Sequence, residues 1–173
     1  LAAAARRWQD ALRDELNADA DESRAARLAR RFASAFPASY REATEPRAAV
    51  EDLQRLDALP PGGLAFRLYR PAAGEPRRLG FKVYHDGSEI PLSDSLPMLE
   101  KMGVRVLAEH PYDITPESPD GGALWIHYFE LETADECADI AALAPLFEDT
   151  YARVFDGSVD SDDFNRLVLR AGL

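Results

Sequence analysis

Residues 60–87 read PPGGLAFRLYRPAAGEPRRLGFKVYHDG, and they separate two parts of the chain that differ in periodicity. The tetrapeptide at 60–63 stops any helix before it and is the best predicted domain boundary. Two short runs follow, at 64–70 and 79–85, rich in aromatic and branched residues and bounded by turn residues. Such runs predict β-strands, and Asp86-Gly87 predicts a turn after the second strand.

The residues before this boundary carry a helical period. Apolar side chains recur at intervals of three or four positions, which predicts three helices within residues 1–60. Asp21 and Glu22 suit the N-terminus of the second helix, Pro37 ends its stripe, and Pro46 suits the first turn of the third. The three stripes are Trp8, Leu12 and Leu16; Leu28, Phe32 and Phe36; and Val50, Leu53 and Leu56.

The residues after the turn predict two more helices and two more strands. Helical spacing covers about 93–102 and 134–155, and strand-like composition covers 104–115 and 123–133. The order after residue 62 is therefore β-β-α-β-β-α, and its last five elements match a ferredoxin-like split unit without its final strand. We expect the first strand to fill that edge, antiparallel to the second.

These patterns predict an α+β fold: N-terminal helices, then an antiparallel four-stranded sheet with two helices. We expect a helical segment at 1–60, an α+β domain at 61–158, and the start of another helical segment at 159–173. The start at leucine and the abrupt end after Leu173 suggest excision from a longer chain.

Local signals refine the predicted helix at 93–102. Ser93 is a plausible N-cap, which would place Pro97 in the tolerant first turn. Gly103 should take the left-handed conformation that ends a helix. Gly157 is expected to end the last long helix in the same way.

Charge and composition exclude several classes of function. The formal net charge of -11 disfavours binding to nucleic acid or to anionic membrane. No apolar run approaches the roughly 18 residues of a membrane span, and no signal peptide is seen. The single cysteine, Cys137, fits a reducing cytoplasm, where we expect the protein to reside.

Sixteen consecutive residues, PLSDSLPMLEKMGVRV at 91–106, resemble the LSD-x-LPMLE-x-MG-x-RV stretch of the large bacterial NAD-dependent glutamate dehydrogenases. Shorter stretches of the same family match in chain order. They are FPASYRE at 36–42 with AVED at 49–52, EHPY at 109–112, WIHYF at 125–129 with Tyr128 where aspartate is usual, and DFNRLVL at 163–169.

The resemblance implies that the whole enzyme deaminates L-glutamate oxidatively to 2-oxoglutarate with NAD. It also implies ACT-type domains of ferredoxin-like order before the catalytic domain, and such modules commonly sense amino acids or hold subunits together. We therefore expect a non-catalytic regulatory or assembly domain without a cofactor of its own. Its expected partners are the rest of the same polypeptide and other subunits of a homo-oligomer. An amino-acid-binding sensor is the alternative, and a stand-alone enzyme is disfavoured.

The absence of catalytic motifs from the sequence supports that expectation. The ten glycines never take the G-x-G-x-x-G spacing of a dinucleotide site. Lys82 and Lys101 stand in no glycine-rich context that would suit a substrate-gripping lysine. No residue is therefore predicted to be catalytic or to bind a cofactor.

Two metal-binding alternatives are weak. Three histidines and the cysteine could be ligands, but their spacing matches no close-paired zinc pattern. An alternating acidic run resembles a calcium loop, but it lacks the loop's glycine, and Leu167 replaces the bidentate glutamate. The residues concerned are His85, His110, His127 and Cys137, and Asp156, Ser158, Asp160 and Asp162.

The segment 86–94 is the one predicted effector site. Gly87, Ser93 and Asp94 lie where backbone N–H groups at a helix start could meet a carboxylate. A plain turn with an N-cap is the favoured alternative, because Pro91 lacks an N–H donor and Asp94 would repel an anion.

The strand at 123–133 raises the question of what covers the sheet. Trp125, Tyr128 and Phe129 could line a pocket, although core packing accounts for at least two of them. We expect a structural role for Trp125 and Phe129, as for Pro97 and Gly103. An apolar sheet face must be buried by self-association or by the N-terminal helices, and the second is preferred.

Overall fold

The computed structural model describes residues 2–72, 74–117, 122–136 and 139–157. Within them the chain forms four helices, a β-hairpin, a helix, a second hairpin and a last helix. The elements are α1 (Ala2–Asp19), α2 (Glu22–Phe32), α3 (Ala38–Ala43), α4 (Pro46–Asp57), β1 (Leu64–Tyr69), β2 (Arg78–Asp86), α5 (Leu92–Lys101), β3 (Val104–Ile114), β4 (Leu124–Thr133) and α6 (Ile140–Phe155).

The four strands form one antiparallel sheet in the order β1-β2-β4-β3. Strand β1 therefore occupies the edge that a ferredoxin-like unit gives to its last strand, as predicted. Backbone bonds fix the pairing at both ends of β2 and β4: Gly87 N–H donates to Ala123 O, and Thr133 N–H donates to Arg77 O, each at 3.0 Å.

The chain divides into two compact units. The first comprises Leu1–Ala65, Tyr84–Glu89 and Pro111–Ile126, and so joins α1–α4 to one end of each of the four strands. Its helices form because their apolar stripes meet: Leu12, Leu16 and Leu28 are all fully buried. Trp8 lies against Phe36, with ring centroids 5.6 Å apart, and its Nε1–H donates to Thr44 O at 2.9 Å.

Within this first unit the helices pack on the strand ends. Thr115 N–H donates to Ala35 O at 3.1 Å, and Glu117 N–H donates to Arg31 O at 2.9 Å. The rings of Tyr40 and Tyr112 meet edge to face at 5.2 Å. The region of α2 and α3 therefore contacts the end of β3 and the residues that follow it.

A buried carboxylate joins α3, α4 and the end of β2 in the same unit. Asp52 is fully buried and accepts hydrogen bonds from Tyr40 Oη at 2.5 Å and from Tyr84 Oη at 2.7 Å. Burial, reinforced by the charge of Asp52, raises the pKa of Tyr40 well above its ordinary value. Both phenol hydroxyls donate to Asp52 and so satisfy a charge that would otherwise be costly to bury.

The second unit comprises Phe66–Val83, Ile90–His110 and His127–Leu173. Phe81 of β2 lies at the centre of its core. The Phe81 ring meets Phe147 at 5.1 Å and Tyr151 at 4.9 Å, both on α6. Phe129 lies 6.3 Å from Phe81 and is fully buried, so it is a core residue.

Two glycines end helices as predicted. Gly103, after α5, has φ +86°, and Gly157, after α6, has φ +73°. Side chains with a Cβ are strained in this region, which explains glycine at both positions. The turn glycine Gly87 also has a positive φ, of +142°.

The start of α5 differs from the prediction. The N-cap is Pro91, without a side-chain cap, and the helix begins at Leu92. Ser93 is therefore not the N-cap, and Pro97 is an internal proline in the second turn. Proline before Leu92 holds the extended conformation of an N-cap position, so the helix starts earlier than the serine suggests.

The bounds of other helices also differ from the prediction. Helix α2 ends at Phe32, and Phe36 is buried beyond it, so the predicted stripe continued past the helix. The short helix α3 was not predicted. Helix α6 begins at Ile140, not near 134, because Asp139 caps it by accepting from Ala142 N–H at 3.0 Å. The helical segment predicted for 159–173 lies outside the described residues.

Candidate functional site

The predicted effector residues fall in different units. Gly87 belongs to the first, and its N–H is already bonded to Ala123 O at 3.0 Å. A Cβ at Gly87 would lie 3.2 Å from the His85 ring. The backbone at Gly87 therefore serves the β2–β4 pairing, and its N–H is not directed at a ligand.

Ser93 and Asp94 lie at the start of α5 in the second unit. Both side chains are exposed, and Ser93 Oγ–H donates to Asp94 Oδ1 at 3.3 Å. The N–H of Asp94 donates to Pro91 O at 3.0 Å. The structure thus brings these two residues together, but it places a carboxylate where an anionic effector would need a donor.

His127, for which the sequence predicted no role at this place, contacts the chain just before α5. His127 of β4 is 1% exposed, and its Nε2 accepts a hydrogen bond from Ile90 N–H at 3.3 Å. Its Nδ1 lies 3.2 Å from Glu109 Oε1 on β3. One imidazole therefore links two strands to the segment that leads into α5.

These contacts define the tautomer of His127. Because Nε2 accepts from a backbone N–H, it carries no proton, and the ring proton lies on Nδ1, where it donates to Glu109. The imidazole positions the backbone at Ile90, since both of its ring nitrogens have hydrogen-bond partners. The sequence held no signal for this pair, because residues 109 and 127 meet only through the register of the β3–β4 hairpin.

A second buried polar contact joins α5 to α6. Tyr151 Oη–H donates to Ser95 Oγ at 3.1 Å, and both side chains are buried. Burial, opposed by the bond to Ser95, raises the pKa of Tyr151 to about 12. The phenol is therefore neutral near pH 7 and acts as a structural donor.

The other histidines have local partners. His85 Nδ1 lies 2.7 Å from Ser88 O, and His110 Nε2 lies 3.1 Å from Glu130 Oε1. Among the described residues no group of three or more His, Cys, Asp or Glu side chains could hold a metal ion. Cys137, Ser158, Asp160 and Asp162 lie outside that part of the chain.

Two tyrosines cover a lysine on the sheet in the second unit. The rings of Tyr69 and Tyr128 are 6.4 Å apart, and Lys82 Nζ lies 5.7 Å and 6.0 Å from their centroids. Lys82 is only 7% exposed. Cation–π contact with the two rings stabilises this burial.

None of the helices in the described part of the chain combines the length and the apolar character that crossing a bilayer requires.

Comparison with known families gives two matches in chain order. Residues 15–59 match the model described as glutamate dehydrogenase, helical motif 2. Residues 63–143 match the model described as glutamate dehydrogenase, ACT3 domain. The first match covers the end of α1 to α4, and the second covers the whole sheet and α5.

Curated relatives match along nearly the whole chain. Proteins named NAD-specific glutamate dehydrogenase are 41% identical in Halomonas elongata, 37% in Pseudomonas aeruginosa and 33% in Mycobacterium tuberculosis. The alignments cover 98%, 98% and 100% of this chain. The chain spans about a tenth of the length of each relative: 10%, 10% and 11%.

Proposed function

The chain belongs to the glutamate dehydrogenase family, as its helical motif 2 and ACT3 domain, and we propose that this region regulates or assembles the enzyme without catalysing the reaction. The observation that carries the proposal is the ordered match of two domain models together with relatives that align over at least 98% of the chain. In this proposal the whole enzyme oxidises L-glutamate to 2-oxoglutarate with NAD, and residues elsewhere in the polypeptide bind the cofactor and the substrate.

The sequence and the side-chain environments support a non-catalytic role. No dinucleotide-binding glycine spacing occurs in the 173 residues. Two buried polar side chains have structural hydrogen-bond partners. Asp52 accepts from two tyrosines, and His127 bonds to Glu109 and to the Ile90 backbone. We also propose that the enzyme works in the cytoplasm as a homo-oligomer, in which this region contacts the rest of the polypeptide.

For the segment 86–94 we propose a structural turn in preference to an amino-acid site. The Gly87 N–H is bonded to Ala123, and Pro91 has no N–H. Asp94 would repel the carboxylate of an amino acid. An amino-acid sensor at Gly87, Ser93 and Asp94 is the outcome that would replace this proposal.

An activity assay tests the non-catalytic role. We expect the purified chain to form no NADH from glutamate and NAD, measured by absorbance at 340 nm, under conditions in which a complete relative is active. Glutamate-dependent NADH formation would overturn the proposal.

Calorimetric titration with the common amino acids tests the turn. We expect no saturable heat. Saturable binding that is lost on Ser93→Ala and unchanged in Ser34→Ala, a control on an exposed serine of the other unit, would establish the sensor instead.

A further inference from the structure

Three arginines in the second unit converge on one carboxylate at the end of the sheet. Glu132, near the end of β4, has a side chain only 16% exposed. Its Oε1 lies 3.4 Å from Arg77 Nη2 and 4.0 Å from Arg78 Nε. Its Oε2 lies 3.5 Å from Arg105 Nη1, at the start of β3. One negative charge is therefore shared by three positive ones.

The arginines keep donors for another anion. Each guanidinium has five N–H groups, and none of the three contacts with Glu132 is short enough to be a strong ion pair. The side chains of Arg77 and Arg105 are 49% and 76% exposed. Most of their N–H groups can therefore reach a molecule from solvent.

The two exposed arginines border a concavity of about 340 Å³ together with Glu132, Thr133 and Glu100. Small-molecule sites occupy roughly 300–1,000 Å³, so the space suits a compact ligand. One wall is fixed by the sheet, since Thr133 N–H donates to Arg77 O at 3.0 Å. The backbone that carries Arg77 is thus held in place before any ligand arrives.

We infer that this concavity binds a small oxyanion with two or more negative charges, a phosphoryl compound or a polycarboxylate. Arg77 and Arg105 hold it through charge-assisted hydrogen bonds, and Glu132 keeps the two guanidiniums directed to one place. The site is distinct from the segment 86–94, and it stands whether or not the region is catalytic.

Two acids oppose the anion and make the inference sharply testable. Glu75 is 3.9 Å from Arg78, and its side chain is 78% exposed, so solvent screens most of its charge. Glu100 lines the concavity itself and repels an anion there. Neutralising Glu100 should therefore strengthen binding, whereas neutralising an arginine should weaken it.

The test is calorimetric titration of the 173-residue chain with inorganic pyrophosphate and, separately, with citrate, at 20 mM and at 150 mM NaCl. We expect saturable binding of one anion per chain for at least one probe. Arg77→Gln and Arg105→Gln should each weaken binding about tenfold or more, and Glu100→Gln should tighten it severalfold. Arg153→Gln, a control arginine on α6 that is 60% exposed, should leave the affinity unchanged.

The two probes separate the ligand classes. Binding of pyrophosphate alone assigns a phosphoryl ligand, and binding of citrate alone assigns a polycarboxylate. If Arg77→Gln unfolds the chain, Arg105→Gln carries the test, because its side chain is mostly in solvent. Absence of saturable binding by either probe, or equal weakening by Arg105→Gln and Arg153→Gln, would overturn the inference.

Discussion

Removing the hydroxyl of Tyr84 should destabilise the first unit by an amount that the structure allows us to estimate. Tyr84 and Asp52 are both fully buried, and the hydroxyl donates to the carboxylate at 2.7 Å. A hydrogen bond to a charged group contributes about 1.5–3 kcal/mol. Tyr84→Phe deletes one atom and leaves the ring packing intact, so this range is the expected loss in free energy of unfolding. The corresponding fall in Tm is roughly 3–12 °C for a chain of this size.

Urea unfolding followed by tryptophan fluorescence measures the loss. Tyr40→Phe should behave similarly, since Tyr40 donates to the same carboxylate. The double variant Tyr40→Phe/Tyr84→Phe should lose more than the sum of the two single variants, because it removes both phenol donors from a buried charge.

A surface carboxylate provides the matched control. Asp10 pairs with Arg13 at 3.0 Å, and its side chain is 60% exposed. Asp10→Ala should change stability by less than about 0.5 kcal/mol, whereas Asp52→Ala should cost several times more. If Tyr84→Phe and Asp10→Ala had equal effects, the assignment of Asp52 as a buried, tyrosine-satisfied carboxylate would be refuted.

Three further predictions concern other parts of the chain. Tyr151 has its pKa raised to about 12, so its stabilising effect is complete below pH 10 and is lost as pH rises from 10 to 12; urea midpoints between pH 9 and 11.5 should decline less steeply in Tyr151→Phe. Gly103→Val should cost on the order of 1 kcal/mol or more, because φ is +86°, and a melting temperature equal to that of the parent would contradict this. Phe129→Asp should unfold the second unit, as judged by near-ultraviolet circular dichroism, because the ring is fully buried beside Phe81. Trp125→Asp should be milder, because Trp125 is only half-buried.

The sequence by itself determined the kind and order of the elements after residue 60. Alternation and turn residues predicted each strand to within about one residue at each end, and a strand order with β1 at the edge followed from chain topology. Gly103 and Gly157 were predictable because positive φ strongly selects glycine. Pro46 marked the start of α4 because proline fits the first helical turn.

Local signals misplaced features that depend on neighbours. Ser93 looked like an N-cap, but Pro91 already holds the extended conformation, so the N-cap lies two residues earlier. Phe36 continues the apolar spacing of α2 in the sequence, yet it is buried beyond the end of that helix. Hydrophobic spacing reports which side chains face a core, and it does not report whether the backbone between them stays helical.

Only the tertiary structure decided which polar groups meet. The pairs Asp52–Tyr84, Glu109–His127 and Arg105–Glu132 join residues 32, 18 and 27 positions apart. Such contacts depend on strand register and helix packing, and a one-residue shift in register would turn each strand side chain to the opposite face. Periodicity therefore specified the architecture of this chain, whereas packing within each unit specified the buried carboxylate, the hydrogen bonds of His127 and the arginine cluster.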